Sequence, residues 1–337
     1  MPGIHRSIAY FSMEIAVEPA MPTYSGGLGV LAGDTIRTAV DMNVPMVAVT
    51  LLHRKGYFTQ KIDASGWQQE EPVEWQAEKF LQELPQRASV ELEGRFIYLR
   101  AWRYRIRSAG GFSVPVYFLD TDIPENSPED RALTHYLYGG DNHYRLCQEA
   151  VFGIGGVRML HLLGYEGIKR YHMNEGHAAL LTLDLLASEA RKAERSAFTQ
   201  EDVNNVRWKC VFTTHTPISA GHDRFPADLV ERVLRYPEIK TMPELFFVDG
   251  KLDMTHMAMS LSNYVNGVAK KHGEVSSQMF SRPIDSITNG VHLPTWTSPP
   301  MQKLFDKYIP DWRKDNLGLR NALTIPKEEL WRTHQEA

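Results

Sequence analysis

"IAYFSMEIAVEPAMPTYSGGLGVLAGDTIRTAVDMNVPMVAVTLL", Ile8 to Leu52, decides how this chain folds. The apolar run at 7–13 reads as a buried strand, 28–42 as a helix and 44–52 as the next strand. Glycines at 26, 27, 29 and 33 crowd the start of that helix. A glycine in a helix interior costs about 1 kcal/mol against alanine, so the cluster needs a reason. One reason is a tight loop. Another is an anion cradle, because unpaired N–H groups and the dipole at a helix N-terminus attract negative charge. A dinucleotide fingerprint fits poorly. From Gly27 the spacing is G-x-G-x-x-x-G, one residue too long, and the following strand ends "TLLHRKG" without an acid for a ribose. No Lys-Ser/Thr pair follows, so the stretch is not a Walker A loop either.

Outward from this unit the alternation continues. Strands are expected at 95–106, 114–120, 167–174, 208–216 and 283–291, with helices at 142–164 and 177–195. Strands alternating with helices predict an α/β fold with a mostly parallel sheet flanked by helices. Several expected strands end in polar, histidine- or glycine-bearing motifs: "SMEI" (12–15), "HMNEGH" (172–177), "TTHTP" (213–217) and "TNGVH" (288–292). Ligands of open α/β sheets bind outside the carboxyl ends of the strands, so these ends predict one composite site.

The 337 residues are 43% hydrophobic and 23% charged, enough to bury a large core, and length alone suggests about two domains. A net charge of -4 gives no basis for a nucleic-acid surface. No stretch reads as a signal peptide or membrane span. Cys147 and Cys210, the only cysteines, fit a reducing cytoplasm and form no metal or redox motif.

"YFSMEIAVEPAMPTYSGGLGVLAGD" (10–34) resembles the N-terminal signature of α-glucan (glycogen/starch/maltodextrin) phosphorylases, in their short bacterial and archaeal form. The similarity continues through "RKGYFTQKIDASGWQQE" (54–70), "LYGGDNHYRLCQE" (137–149), "HMNEGHAAL" (172–180), "FTTHTPISAGHDRFP" (212–226), "YVNGVAKKHGEVS" (264–276) and "SITNGVHLPTW" (286–296). The resemblance implies a GT-B fold of two facing Rossmann-like domains with the active site between them. It implies reversible phosphorolysis of an α-1,4-glucan end to glucose 1-phosphate with retained configuration. Pyridoxal phosphate is the implied cofactor, its phosphate taking part in proton transfer.

Carried onto this chain, Gly26, Gly27 and Leu28 would offer backbone N–H groups to phosphate and sugar, Gly27 also on the cofactor-phosphate side. His215 would carry the catalytic position, its main-chain carbonyl facing the sugar, and Glu175 and His177 would line the glucan site. The Gly139–Asn142 turn, with Asp141 and Asn142, resembles a mobile gate loop. Glu14, Asn174, Thr216 and Asn289 would support the pocket. An oxocarbenium-like state needs carbonyl or negative partners, and attacking phosphate needs oriented donors; both residue types are present.

Two departures qualify the match. The cofactor lysine of the family lies in a motif resembling G-T-x-N-M-K, which this chain lacks. The reading is therefore an N-terminal lobe, residues 1–324, with 325–337 starting the connection to a C-terminal domain held in the same gene or a separate subunit. That lobe alone is expected to be inactive, and a homodimer is open. Longer members also carry an aromatic residue where Ala16 stands.

Plainer roles stand beside these. Arg103, Arg105 and Arg107 alternate with Trp102, Tyr104 and Ile106, as on a solvated edge strand. Trp67 reads as a core or subunit-interface residue, with sugar stacking as the alternative. Glu14 reads as an orienting hydrogen-bond acceptor, Asp34 as a helix-dipole partner and His292 as a hydrogen-bonded loop residue. No HExxH or paired Cys–His pattern supports a metal site. Competing readings are a nucleotide-sugar-dependent transferase like glycogen synthase, and a non-catalytic glucan-binding lobe.

Overall fold

A computed structural model describes residues 5–108, 110–218 and 221–337. Its strands, in chain order, are β1 (Ile8–Ser12), β2 (Met46–Leu51), β3 (Thr59–Ile62), β4 (Gln68–Glu71), β5 (Gln82–Leu92), β6 (Arg95–Arg107), β7 (Ser113–Asp120), β8 (Arg170–Asn174), β9 (Cys210–Thr213), β10 (Arg224–Pro226), β11 (Phe247–Val248), β12 (Lys251–Asp253), β13 (Tyr264–Gly267) and β14 (Asp285–Ser286). The helices are α1 (Gly27–Asp41), α2 (Pro128–Arg131), α3 (Asn142–Leu162), α4 (Leu181–Lys192), α5 (Gln200–Lys209), α6 (Ala227–Leu234), α7 (Met254–Ser260), α8 (Lys270–Met279), α9 (Leu293–Trp296), α10 (Pro299–Tyr308) and α11 (Lys327–Glu336).

Among the described residues, nine strands form one sheet in the order β14-β13-β9-β8-β1-β2-β7-β6-β5. The strands from β14 to β7 run parallel, and β6 and β5 add antiparallel. A parallel sheet covered on both faces needs apolar residues on both, and β2 is buried at every position. On one face α1 packs Ala32, Ile36 and Val40 against Tyr10, Ala48 and Phe118. On the other, α3 is buried along most of its length and sets Phe152 against Phe11, ring centroids 5.7 Å apart. Fully burying such a ring stabilises by about 2–3 kcal/mol. No helix among the described residues is long and apolar enough to cross a membrane.

Two of the four α1 glycines are explained by packing alone. A Cβ on Gly33 would overlap the Ala16 carbonyl oxygen, and one on Gly29 would strike Tyr24 and the Glu14 carboxylate. A Cβ on Gly26 or Gly27 would meet nothing within 4 Å. The fold therefore needs the later pair, and leaves room for a side chain at the earlier pair.

Several expectations are corrected. The helix expected at 177–195 starts as a 3-10 turn, Gly176–Ala178, before α4. The strand expected at 208–216 is shorter, because α5 runs on through Trp208 and Lys209. A reciprocal cap starts α5: Thr199 N–H donates to Asp202 Oδ2 at 2.8 Å, and Asp202 N–H donates to Thr199 Oγ1. The strand expected at 283–291 is only Asp285–Ser286. The arginine-bearing strand β6 is not an edge: it lies between β7 and β5, and Trp102 is buried with its indole N–H on Asp120 Oδ2 at 2.9 Å. Trp67 is not core; it sits in the β3–β4 hairpin, 75% exposed. Asp34 is buried inside α1, where its carboxylate accepts the Trp296 indole N–H at 2.7 Å.

Beyond the sheet, Leu304 of α10 packs with Ile309, Trp312 and Ile325 of the segments after it in a small core. Glu329 of α11 accepts from Lys307 and Tyr308 of α10.

Candidate active site

Three parallel strands, β1, β8 and β9, end side by side. After β8, Glu175 takes φ +78°, a conformation costly for a side-chain-bearing residue and kept only where the surroundings enforce it. Its carboxylate shows the enforcement. Oε1 accepts Gly176 N–H at 2.9 Å; Oε2 accepts His215 N–H at 2.8 Å and the Thr216 hydroxyl at 3.1 Å. One strained residue thus ties the end of β8 to the turn after β9.

A second chain of bonds fixes the His215 ring. Asn174 donates its amide to Ser12 Oγ at 3.1 Å, and Ser12 donates to the Glu14 carbonyl at 2.7 Å. The Asn174 oxygen therefore faces His215 Nε2, 2.7 Å away, which must carry the ring proton. Burial lowers the His215 pKa below its ordinary value, opposed by the nearby Glu175 charge. The imidazole is thus neutral at neutral pH, with Nδ1 unprotonated.

The end of β1 brings Glu14 to the mouth of α1. Its Oε2 accepts Ser25 N–H at 2.6 Å and Gly26 N–H at 3.3 Å, and its Oε1 accepts the Tyr138 hydroxyl at 2.9 Å. Burial raises the Glu14 pKa, against the pull of these donors. The Gly26 amide is therefore already bonded inside the protein. Gly27 and Leu28, the first residues of α1, come next along the same open mouth.

These parts face a cavity of about 380 Å³ lined by Leu28, Tyr138, Arg145, Glu175, His177, His215, Thr216, Gly221, His222 and Asp223. On its wall Arg145 bonds Asp223 at 2.6 Å and Glu149 at 3.3 Å, and lies over the Tyr138 ring. His177 sits 3.4 Å from Asp223. Desolvation would lower the Arg145 pKa, but Glu149 and Asp223 outweigh it and raise it. Glu149, wholly buried beside Asp223, is pushed well above the usual carboxylate range. His177 is lowered by burial and stays neutral. A wall with one guanidinium, carboxylates and neutral imidazoles can bond hydroxyl groups both as donor and as acceptor.

Of the residues singled out in the sequence, Leu28, Glu175, His177, His215 and Thr216 line the cavity, and Glu14 and Asn174 hold it from behind. Asp141, Asn142 and Asn289 are not brought there. Asp141 is exposed and caps α3, accepting Tyr144 N–H at 2.9 Å; Asn142 is exposed as the first residue of that helix. Asn289 is exposed, with its N–H on the Val268 carbonyl. The "TNGVH" segment turns away, placing His292 Nε2 2.9 Å from Asp41 at the far end of α1. Tyr138, Arg145, His222 and Asp223 went unassigned in the sequence, although all four fall inside the quoted blocks. Arg145 was findable: it stands one turn into a helix capped by Asp141.

Among the described residues no lysine lines the cavity, so these offer no amine to an aldehyde such as pyridoxal phosphate. The residues present do not fit covalent attachment of that cofactor.

No family model matches the chain. It is 36% identical to maltodextrin phosphorylase of Thermococcus litoralis, over all of this chain and 42% of that protein. It is 38% identical to glycogen phosphorylase of Mycobacterium tuberculosis, over 88% of this chain and 38% of that protein. With glycogen phosphorylase of Aquifex aeolicus it shares 30% identity, over 98% of this chain and 50% of the relative. The chain thus spans half or less of the length of these curated relatives. Along nearly every residue, this chain is thus similar to curated maltodextrin and glycogen phosphorylases.

Proposed function

We propose that this chain forms the glucan- and phosphate-binding part of an enzyme that moves the terminal glucosyl unit of an α-1,4-glucan to phosphate. The C1–O4 bond breaks, a C1–O bond to phosphate forms with retained configuration, and the shortened glucan takes a proton at O4. The observation that carries this reading is the Glu175 clamp, which fixes the His215–Thr216 backbone at the cavity wall. A rigid main chain at that wall suits a carbonyl partner for the oxocarbenium-like state. Neutral His177 and His215 and the Arg145–Asp223 pair suit sugar hydroxyls. The amides of Gly27 and Leu28, at a helix N-terminus, suit phosphate.

In this reading the sheet is one Rossmann-like half of a GT-B enzyme, residues 1–324, and residues 325–337 begin its connection onward. The facing half corresponds to the part of the relatives that this chain does not span. The pyridoxal phosphate of such an enzyme belongs on that facing side, and no step here is routed through it.

Calorimetric titration of the 337-residue chain tests the proposal. Maltotriose and phosphate are expected to bind, and His177→Ala to weaken maltotriose by about tenfold, about 1.4 kcal/mol, with the thermal midpoint little changed. A chain that binds neither ligand, or an unchanged maltotriose affinity in the variant, contradicts it. A glucose 1-phosphate assay on the same chain is expected to show no turnover.

A further inference from the structure

A second cleft, of about 430 Å³, opens beside the first. Its walls come from three segments: Pro19–Ser25 ahead of α1, Tyr57–Gln60 leading into β3, and Gln68 with Val73–Trp75 around β4. Its aromatic members are Tyr24, Tyr57, Phe58 and Trp75. Tyr57 is 46% exposed and lies against Phe58, ring centroids 4.4 Å apart. Trp75 is fixed by its indole N–H on the His53 carbonyl at 3.2 Å. Gln60 Nε2 donates to Gln68 Oε1 across the hairpin at 2.5 Å, and Gln68 Nε2 donates to Glu70 Oε1 at 3.5 Å, leaving Gln60 Oε1 to accept from a ligand.

Two links place this cleft near the candidate active site. Ser25 lines the second cleft and Leu28 the first, three residues apart across the glycine mouth of α1. Independently, Leu137 N–H donates to the Gly56 carbonyl at 3.0 Å; Tyr57 on one side of that bond lines the second cleft, and Tyr138 on the other lines the first.

The lining chemistry selects the occupant. Among the described residues no lysine or arginine lines it and Glu74 is the one carboxylate, so an anion finds no cationic side chain there. Exposed aromatic faces suit the apolar C–H face of a pyranose, and primary amides both donate to and accept from hydroxyls. The volume falls within the usual range for small-molecule clefts, about 300–1,000 Å³. We infer that this cleft is a second glucan subsite, holding glucosyl units of the same chain whose end lies in the first. The inference rests on the glucan reading above and adds where a longer glucan runs.

Titration with maltotriose and maltoheptaose, with hydrogen exchange of both complexes, provides the test. The unmodified chain is expected to bind maltoheptaose more tightly than maltotriose. Only the longer sugar is expected to slow exchange in residues 57–60 and 68–75. Tyr57→Ala is expected to lower maltoheptaose affinity by about tenfold and to leave maltotriose and phosphate within about twofold. If maltoheptaose binds but protects only residues 138–145 and 215–223, or if Tyr57→Ala weakens both sugars equally, the subsite is refuted and the glucan reading stands. If neither sugar binds the unmodified chain, the glucan reading itself falls and takes the subsite with it.

Discussion

At the scale of single residues, the α1 glycines separate into two kinds that the sequence alone left together. Gly29 and Gly33 are where the β1–α1 connection crosses the helix at backbone distance; Gly26 and Gly27 face open space. Gly33→Ala is expected to destabilise by about 1–3 kcal/mol, the range for forced overlap in a packed interior. Gly27→Ala is expected to be neutral or stabilising by up to about 1 kcal/mol, since alanine is the better helix former. Under the proposed function Gly27→Ala also loses phosphate affinity, because a methyl group then stands where the ligand approaches. Urea unfolding of both variants, with phosphate titration of Gly27→Ala, checks the contrast. Equal stability losses in the two variants contradict it.

At the scale of elements, legibility followed length and pattern. β1, α1, β2, β6, β7 and α3 are sustained apolar or periodic runs, and the sequence placed each within a few residues. β5 escaped because charged and polar residues fill its exposed face and its pairing with β6 slips between Glu83 and Arg87. Without β5, β6 looked like an edge. The end of α5 was misread because Trp208 and the β9 residues form one apolar stretch, while the capping box that commits 200–209 to helix lies upstream. The site was legible where its residues end strands, as at Glu14, Asn174, Glu175 and His215. It was illegible where a tertiary ion pair does the joining, as for Arg145 with Asp223. Asp141, expected in a gate-like turn, has its carboxylate occupied at the start of α3. Asp141→Ala is therefore expected to lower stability by about 1 kcal/mol, and Asp141→Ser to restore most of it. Thermal unfolding of the pair checks this, and full stability in the alanine variant contradicts it.

At the scale of the whole molecule, the packed sheet governs the response to acid. His172, half-buried with Nε2 2.8 Å from Thr213 Oγ1, has its pKa lowered to about 4 by desolvation and the nearby His215. Once unfolded it protonates near 6.5, so the unfolded chain gains protons that the fold refuses. Its contribution is fully present above 6.5 and is lost as pH falls toward 4. Glu14 and Glu149 shift upward and act in the opposite sense, so the net slope mixes both. A difference isolates the histidine. Between pH 7 and pH 5, His172→Gln is expected to lose about 2 kcal/mol less stability than the unmodified chain in urea titrations. Parallel losses in the two proteins contradict it. Glu14 carries a further consequence. Because it already neutralises the first turn of α1, an arriving dianion meets a resident like charge. Burial has biased that carboxyl toward its acid form, so the low-energy response is to capture a hydrogen ion from solvent as the ligand lands. Phosphate association would then absorb protons, and its apparent heat would vary with the ionisation enthalpy of the buffer.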